Sequence, residues 1–325
     1  MFETVIIPSG MHVGFTDAPI SYGLSPIPYV DPESPFSGRK LEICNPMAAT
    51  TTKQIQFTPV EKAANCNDYF LGELQASYKN ARTVSRGELD SFGSCLLDMR
   101  KTLSGREYDG IIVPLRGGLK PWTQLHVLGE KSEKPIWLPY TGGSTGKFDE
   151  QIRFHLTEEL KPLSDSGRLK LAVIDTAMGG NGSEHLAQLI TGLHAQDPAR
   201  KWDVDFHLMC SNEFPKLSWE IPKYSTDSIH FNPYDWRVDS LLVEDWNEAI
   251  GLQGVGFDGN QITIKPASTD GHLILKENDG TVRVLKSNEL HHAVDVLIAE
   301  SVSDAVRSDP LLEYERDVWQ RYQVH

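Results

Sequence analysis

Residues 171–190 read LAVIDTAMGGNGSEHLAQLI, and their pattern predicts a strand, a glycine-rich turn and a helix. The apolar run at 171–174 is typical of a short buried strand, whereas the leucines and isoleucine at 186, 189, 190 and 193 recur at helical spacing. The turn between them follows Asp175 and holds three glycines, which let another group approach the backbone closely.

This turn has the composition of an anion-binding site. Ser183 is a suitable N-cap residue, and the backbone N–H groups of residues 180–183 would converge where the helix dipole favours negative charge. A phosphate fits such a cradle. A glycine-rich connection that binds nothing has the same composition. These residues alone favour neither interpretation.

The overall composition of the 325-residue chain is that of a globular protein, because 39% hydrophobic residues can build a sizeable core. A net charge of -14 argues against an extended nucleic-acid footprint or a membrane surface as the main partner. The cysteines lie far apart without zinc spacing, Glu3 stands where a signal peptide would carry positive charge, and no apolar run reaches membrane-spanning length. We therefore expect a cytoplasmic protein.

Changes in composition and in hydrophobic periodicity divide the chain into three regions. Residues 1–85 are rich in Pro, Gly, Ser and Thr and predict a partly β N-terminal extension. Residues 86–255 alternate apolar strands with amphipathic helices, which predicts an α/β core with a mainly parallel twisted sheet flanked by helices. Residues 256–325 predict an antiparallel β meander with Asp-Gly turns, followed by one amphipathic helix.

The first of three unusual loops in the core is VPLRGGLKPW, at residues 113–122. Two glycines after a buried strand can present backbone N–H groups, and Arg116 or Lys120 can pair with phosphate oxygens. An ordinary turn with an exposed arginine fits the same residues. Taken by itself, this loop favours the ordinary turn, although ligands on parallel sheets do bind at the carboxyl ends of the strands.

The second loop, YTGGSTGKFDE at residues 140–150, is not a Walker A motif, because Thr141 and Phe148 replace required residues. It also matches the G-x-S-x-G pattern of a hydrolase nucleophile elbow, with Ser144 as the nucleophile. Such an enzyme needs a downstream histidine. The candidate histidines have no distinguishing context and are predicted to lie at the surface: His185, His207, His230 and His272.

Together, VPLRGGL and LAVIDTAMGGNGS resemble the two signature loops of type I phosphoribosyltransferases, in order and in spacing. The resemblance covers roughly residues 86–255. It implies an enzyme of the glycosyltransferase kind that binds phosphoribosyl pyrophosphate or a nucleotide 5-phosphate. Such an enzyme transfers or cleaves the phosphoribosyl group with Mg²⁺ as cofactor.

The resemblance also implies roles for individual residues. Asp175 would engage the ribose and, directly or through water, Mg²⁺, while Arg116 and Lys147 would be catalytic cations. Trp246 lies where family members place base-contacting residues and could stack on the base. A strained peptide bond is expected near residues 115–117. The pyrophosphate loop would comprise Leu115, Arg116, Gly117 and Gly118, and the 5-phosphate loop Thr176, Ala177, Met178, Gly179, Gly180, Asn181, Gly182 and Ser183.

Several positions depart from the family pattern. Thr176 stands where the family has a second acid, Gly180 replaces a hydroxyl-bearing residue, and Asn181 replaces a glycine. Glu184 adds negative charge beside the predicted phosphate, which costs about 0.3–1 kcal/mol. The alternative is therefore a catalytically weakened member that senses phosphoribosyl pyrophosphate or a nucleotide. Its flanking regions would serve a homodimer or a protein partner.

Overall fold

The computed structural model describes most of the chain from residue 81 onward and short pieces before it. The described residues are 3–4, 56–59, 68–78, 81–127, 135–140, 146–163, 167–177, 180–197, 199–211, 226–236, 250–267, 270–287 and 290–308.

The centre of the fold is a sheet of five strands, all parallel, in the order β5-β4-β6-β7-β8. The predicted α/β class with a parallel sheet is confirmed. Four of its strands lie in apolar runs of the predicted α/β core, namely VPLRGGL, PIWLPY, LKLAVID and WDVDFHLMC, and the fifth was not predicted. The strands are β4 (Gly110–Pro114), β5 (Ile136–Leu138), β6 (Arg168–Ala177), β7 (Lys201–Ser211) and β8 (Ile229–Trp236).

Helices cover both faces of this sheet, which explains why β6 is almost continuously apolar. Leu171 and Val173 pack on the side of α4 and α5, whereas Ala172 and Ile174 pack on the side of α2 and α3. The predicted apolar faces of the helices are buried as expected. The helices are α1 (Asp68–Ser77), α2 (Arg86–Ser104), α3 (Leu119–Val127), α4 (Asp149–Leu160), α5 (Asn181–Gln196) and α6 (Leu290–Ser308).

A second sheet combines strands from both ends of the chain in the order β1-β2-β12-β11-β3. Strand β11 pairs antiparallel with β12 but parallel with β3. Helix α6 packs closely on α2, because a β-carbon added at Gly93 would lie 3.2 Å from Val302. The strands are β1 (Glu3–Thr4), β2 (Gln56–Pro59), β3 (Ala81–Ser85), β11 (Gly271–Lys276) and β12 (Val282–Ser287).

The predicted C-terminal meander is correct for the antiparallel pair of β11 and β12 and wrong for β10, which pairs elsewhere. Strand β10 (Gln261–Pro266) forms a separate antiparallel pair with β9 (Leu252–Asp258), while β11 and β12 belong to the second sheet. The pairing of β10 becomes irregular at Pro266, a residue that has no N–H to donate to a further ladder. The predicted terminal helix is confirmed as α6.

No helix among the described residues combines the length and the apolar character needed to cross a membrane.

Candidate functional site

The strand order creates a switch point between β4 and β6. The chain passes from β4 outward to β5 on one side, then returns to the other side with β6, β7 and β8. Open parallel sheets bind ligands in the crevice outside the carboxyl ends of the strands at such a point. The two glycine-rich turns singled out in the sequence follow β4 and β6 directly.

The turn after β4 lies against the backbone of β6. A β-carbon added at Gly118 would lie 2.3 Å from the Ile174 carbonyl oxygen and 2.9 Å from that of Pro114. Only glycine fits there, because real β-carbons do not approach backbone atoms so closely. The Gly118 N–H donates to the Pro114 oxygen over 2.8 Å, and α3 begins at the next residue. This contact brings the turn to within one residue of Asp175.

Arg116 has a left-handed backbone, with φ of 78°. This conformation costs a residue with a β-carbon roughly 1–2 kcal/mol. The expected strain at 115–117 is thus present at Arg116, but it is a φ strain, since no described peptide bond is cis. Leu115 and Gly117 are buried, and the Arg116 side chain is half-buried.

Lys120 does not face the crevice, contrary to its suggested phosphate role. Its Nζ donates to Asp295 Oδ1 over 2.8 Å and to the His291 carbonyl over 2.9 Å, both on α6. The lysine is 6% exposed, and burial lowers its pKa. Lys120 is the second residue of α3, and its side chain points toward the C-terminal helix.

The turn after β6 begins later than the sequence pattern indicates. The strand extends through Ala177, so that Asp175 and Thr176 still pair with β7. Both side chains are buried, and Asp175 Oδ1 accepts a hydrogen bond of 2.8 Å from the Thr176 N–H. The next two predicted ligand residues, Met178 and Gly179, lie outside the described residues.

Gly180 is the N-cap of α5, which corrects the assignment of Ser183. Its φ is 71°, a conformation that glycine adopts without strain. The Glu184 N–H donates to the Gly180 oxygen over 2.9 Å. The amides of residues 181–183 precede this bond and belong to the helix start that lacks intrahelical acceptors. Together with the Gly180 N–H they are the four amides that the sequence assigned to the cradle, and Ser183 is buried at the third helical position.

Three side chains connect the turn after β5 to the start of α5. The Tyr140 hydroxyl donates to the Gly182 carbonyl over 2.8 Å and lies 3.0 Å from His185 Nδ1. His185 Nε2 lies 3.2 Å from Oδ2 of Asp149, the first residue of α4. His185, predicted to lie at the surface, is half-buried, with 17% of its side chain exposed. Sequence reasoning missed this group because His185 lies 45 residues from Tyr140 and 36 from Asp149.

Lys147 is exposed, and its Nζ lies 4.9 Å from the centre of the Phe148 ring. Phe148 packs edge-on against Phe257 of β9, with ring centres 5.7 Å apart. The hairpin of β9 and β10 therefore contacts the start of α4. Residues 141–145, with Ser144, and the predicted base-stacking Trp246 lie outside the described residues.

A second polar group is buried on the α2 side of the sheet, away from these turns. Asp205 Oδ2 accepts from Arg106 over 2.6 Å and from the Tyr108 hydroxyl over 2.8 Å. His207 lies between two tyrosine hydroxyls, with Nε2 3.0 Å from Tyr108 and Nδ1 2.9 Å from Tyr234. His207 is fully buried rather than at the surface, and burial lowers its pKa to about 4.

Asp203, Asp205 and His230 bring potential metal-ligand atoms to within 4.8 Å of one another near the amino ends of β7 and β8. Asp205 pairs with Arg106, and Asp203 pairs with Arg168 over 2.5 Å. Because two arginines already offset both carboxylates, a cation would have to compete with them. This group is far along the strands from Asp175 and was not predicted.

Comparison with known proteins adds no family or relative: no family model, no curated protein and no solved structure matches the chain. The described geometry offers two turns at one switch point. It places a half-buried arginine in the first turn, a buried carboxylate before the second, and helix-start amides after it. Such an arrangement can bind an anionic group and orient a polar one beside it.

Proposed function

We propose that the crevice between the turn at 115–118 and the start of α5 at 180–183 binds a phosphoribosyl ligand, and that the protein transfers or cleaves its phosphoribosyl group as type I phosphoribosyltransferases do. The contact of Gly118 with the Ile174 carbonyl carries this proposal, because it places the first turn beside the end of β6, the strand that carries Asp175 and leads into the second turn. An α/β sheet alone would be compatible with many activities.

The two turns suit the two ends of such a ligand. The amides of residues 181–183 and the dipole of α5 favour a 5-phosphate at the helix start. Arg116, in the neighbouring turn, would pair with the pyrophosphate, for which a guanidinium has matching bidentate geometry. Lys147 stands at the end of the connection after β5 and would supply a further positive charge.

The proposed reaction is a displacement at the anomeric carbon of the ribose. The lone pair of a nucleophile forms the new bond as the bond to the pyrophosphate oxygen breaks, and pyrophosphate leaves with that electron pair. Arg116 and the turn amides would stabilise the negative charge that develops on the leaving group. Asp175 would hold the ribose hydroxyls, so that positioning supplies much of the rate enhancement.

Magnesium is part of the proposal only to the extent that the carboxylates fit. Asp175 is the acidic side chain in the described part of β6 that reaches this edge, and Thr176 follows it without a second carboxylate. Magnesium sites commonly use one or two carboxylates together with substrate phosphates. Asp175 would therefore hold Mg²⁺ together with phosphate oxygens of the ligand. The ion would offset the negative charge of those oxygens.

A sensor is the second candidate, and Thr176 favours it. Its side chain is buried beside Asp175 at the position where the resemblance predicts an acid. A site with one carboxylate can still bind a phosphoribosyl ligand while stabilising the reaction less. The fold and the anion cradle are the same for both candidates, so that turnover has to distinguish them.

The experiment is to mix the protein with phosphoribosyl pyrophosphate, Mg²⁺ and a panel of nucleobases, and to follow pyrophosphate release and thermal stability together. Ligand binding to the folded state raises the melting temperature. Pyrophosphate release by the wild type that is lost in an Asp175→Asn variant would support the enzyme. A thermal shift without pyrophosphate release would support the sensor. If neither occurs with any ribose phosphate, the proposal is overturned.

A further inference from the structure

Two buried hydroxyl groups stand at the carboxyl edge of the central sheet without a hydrogen-bond partner among the described residues. They belong to Thr176, near the end of β6, and to Ser183, the third residue of α5. The two residues are 7% and 3% exposed. Buried polar groups nearly always have a partner, and one without it requires a specific explanation, such as a bound ligand.

The other buried serines and threonines of the described residues are engaged. Thr123 Oγ1 donates to the Leu119 carbonyl over 2.8 Å. Ser301 Oγ accepts from Arg86 over 3.3 Å, and Ser287 also makes an interaction. In the part of the chain that the structure describes, the unsatisfied buried hydroxyls therefore lie on the two sides of the second turn of the proposed site. This distribution is the one expected of a crevice that binds a polar ligand.

The Thr176 side chain lies on the face of β6 along which the first turn runs. Alternate residues of a strand point to opposite faces of the sheet, and Ala172 and Ile174 pack on the side of α2 and α3. Thr176 continues this row and pairs with Met209, which belongs to the same core. Since Gly118 meets the Ile174 carbonyl, Thr176 stands two residues beyond that contact, toward the carboxyl edge.

Asp175 lies on the opposite face of β6, where its neighbours in the row, Val173 and Ala177, pack with α4 and α5. A ligand at the end of β6 would thus meet a carboxylate on one face and a neutral hydroxyl on the other. A hydroxyl can donate and accept at once, as a sugar hydroxyl does. A carboxylate in place of Thr176 would add a second negative charge beside a phosphate ligand, and a cation would have to offset it.

We propose that Thr176 contacts a hydroxyl of the sugar directly, with no metal ion between them, and thereby selects a ribose phosphate over a phosphate that carries no sugar. The inference rests on the proposed function, because it requires a phosphoribosyl ligand in this crevice. It adds to that function a specificity-determining residue and a sugar contact that does not depend on Mg²⁺. A site that bonds a hydroxyl of its ligand discriminates against ligands that lack it, because its own polar group is then left unpaired.

The test is calorimetric titration with ribose 5-phosphate and with inorganic phosphate, once with EDTA and once with Mg²⁺. Thr176→Val keeps the shape of the side chain and removes the hydroxyl. We expect this variant to bind ribose 5-phosphate about fivefold more weakly than the wild type, the effect of one neutral hydrogen bond. Its affinity for inorganic phosphate should be unchanged. Thr176→Ser keeps the hydroxyl and should bind both ligands as the wild type does.

Thr123→Val is the matched control, because that threonine is equally buried and its hydroxyl is already bonded within α3. It should leave both affinities unchanged. Thr176→Asp tests the role of the metal, since carboxylate oxygens suit Mg²⁺. Its affinity for ribose 5-phosphate should fall in EDTA and recover with Mg²⁺, whereas the wild type should bind this ligand equally well in both.

Equal affinity of the wild type and Thr176→Val for ribose 5-phosphate would overturn the inference while leaving phosphate binding intact. A wild type that needs Mg²⁺ to bind this ligand would overturn it as well. Should Thr176→Val fail to fold, 2-deoxyribose 5-phosphate and 3-deoxyribose 5-phosphate remove the hydroxyls from the ligand instead, and wild-type binding of both as tight as that of ribose 5-phosphate would contradict the proposal. If the wild type binds neither ribose 5-phosphate nor phosphate, the proposed function fails and the inference with it.

Discussion

Gly118 lies so close to Ile174 that a β-carbon on the glycine would meet the isoleucine carbonyl oxygen at 2.3 Å. This contact joins the turn after β4 to the strand that carries Asp175. Since the atom in the way is backbone oxygen within a sheet, no side-chain movement can relieve the overlap. A glycine therefore sets how closely the first turn of the proposed site approaches the strand that leads into the second.

Gly118→Ala is expected to destabilise the protein by about 1–3 kcal/mol, as overpacked sites do. Urea unfolding would measure the loss as a lower midpoint at unchanged slope. Gly72→Ala in α1 is the matched control, because a β-carbon there meets nothing within 4 Å. That substitution should be neutral or stabilising by about 0.5–1 kcal/mol. Equal effects at the two glycines would contradict the close approach.

Arg116→Gly and Arg116→Ala separate the strain of the first turn from its charge. Both remove the guanidinium, but only alanine keeps the penalty of the left-handed backbone. The glycine variant should be more stable than the alanine variant by about 1 kcal/mol. Both should bind phosphoribosyl pyrophosphate about tenfold more weakly, the effect of one lost charge-assisted bond. Thermal unfolding and titration would measure the two effects separately.

The central sheet could be predicted from the sequence because its inner strands are buried on both faces. Strand β6 and the apolar face of α5 show this in adjacent residues. Strand β8 reads IHFNPYDW, and its polar residues and Pro233 gave no strand pattern. The β11–β3 pair joins residues about 190 positions apart, a distance over which periodicity carries no information.

The candidate site was predictable only in part for the same reason. Arg116 and Asp175 follow apolar strands directly, and the turns mark their position. His185 contacts Tyr140 and Asp149, which stand on either side of the connection between β5 and α4. Sequence periodicity does not relate residues that are 45 and 36 positions apart. His207 alternates with apolar residues along β7, as an exposed side chain would, yet two tyrosines cover it.

His207 should make the protein acid-sensitive in a defined range. Burial lowers its pKa from 6.5 to about 4, so that the unfolded chain binds a proton before the folded one. Stability contributed by the neutral imidazole is complete above pH 6.5 and is lost as the pH falls toward 4. The loss should be about 3 kcal/mol at most. In urea melts, His207→Gln should lose less unfolding free energy than the wild type as the pH falls from 6.5 to 4.

Lys120 and Asp295 provide the last test, because removing one charge of a buried pair leaves the other uncompensated. Lys120→Met should cost about 3–5 kcal/mol, since it leaves Asp295 charged at 2% exposure. Asp295→Asn keeps the bond from Gln124, which lies 3.0 Å from Oδ1, but leaves a buried lysine and should destabilise the wild type. In the Lys120→Met background the same change removes the unpaired charge, and we expect it to be stabilising. A double-mutant cycle in urea measures this reversal of sign, and additive effects would show that the pair does not hold α3 to α6.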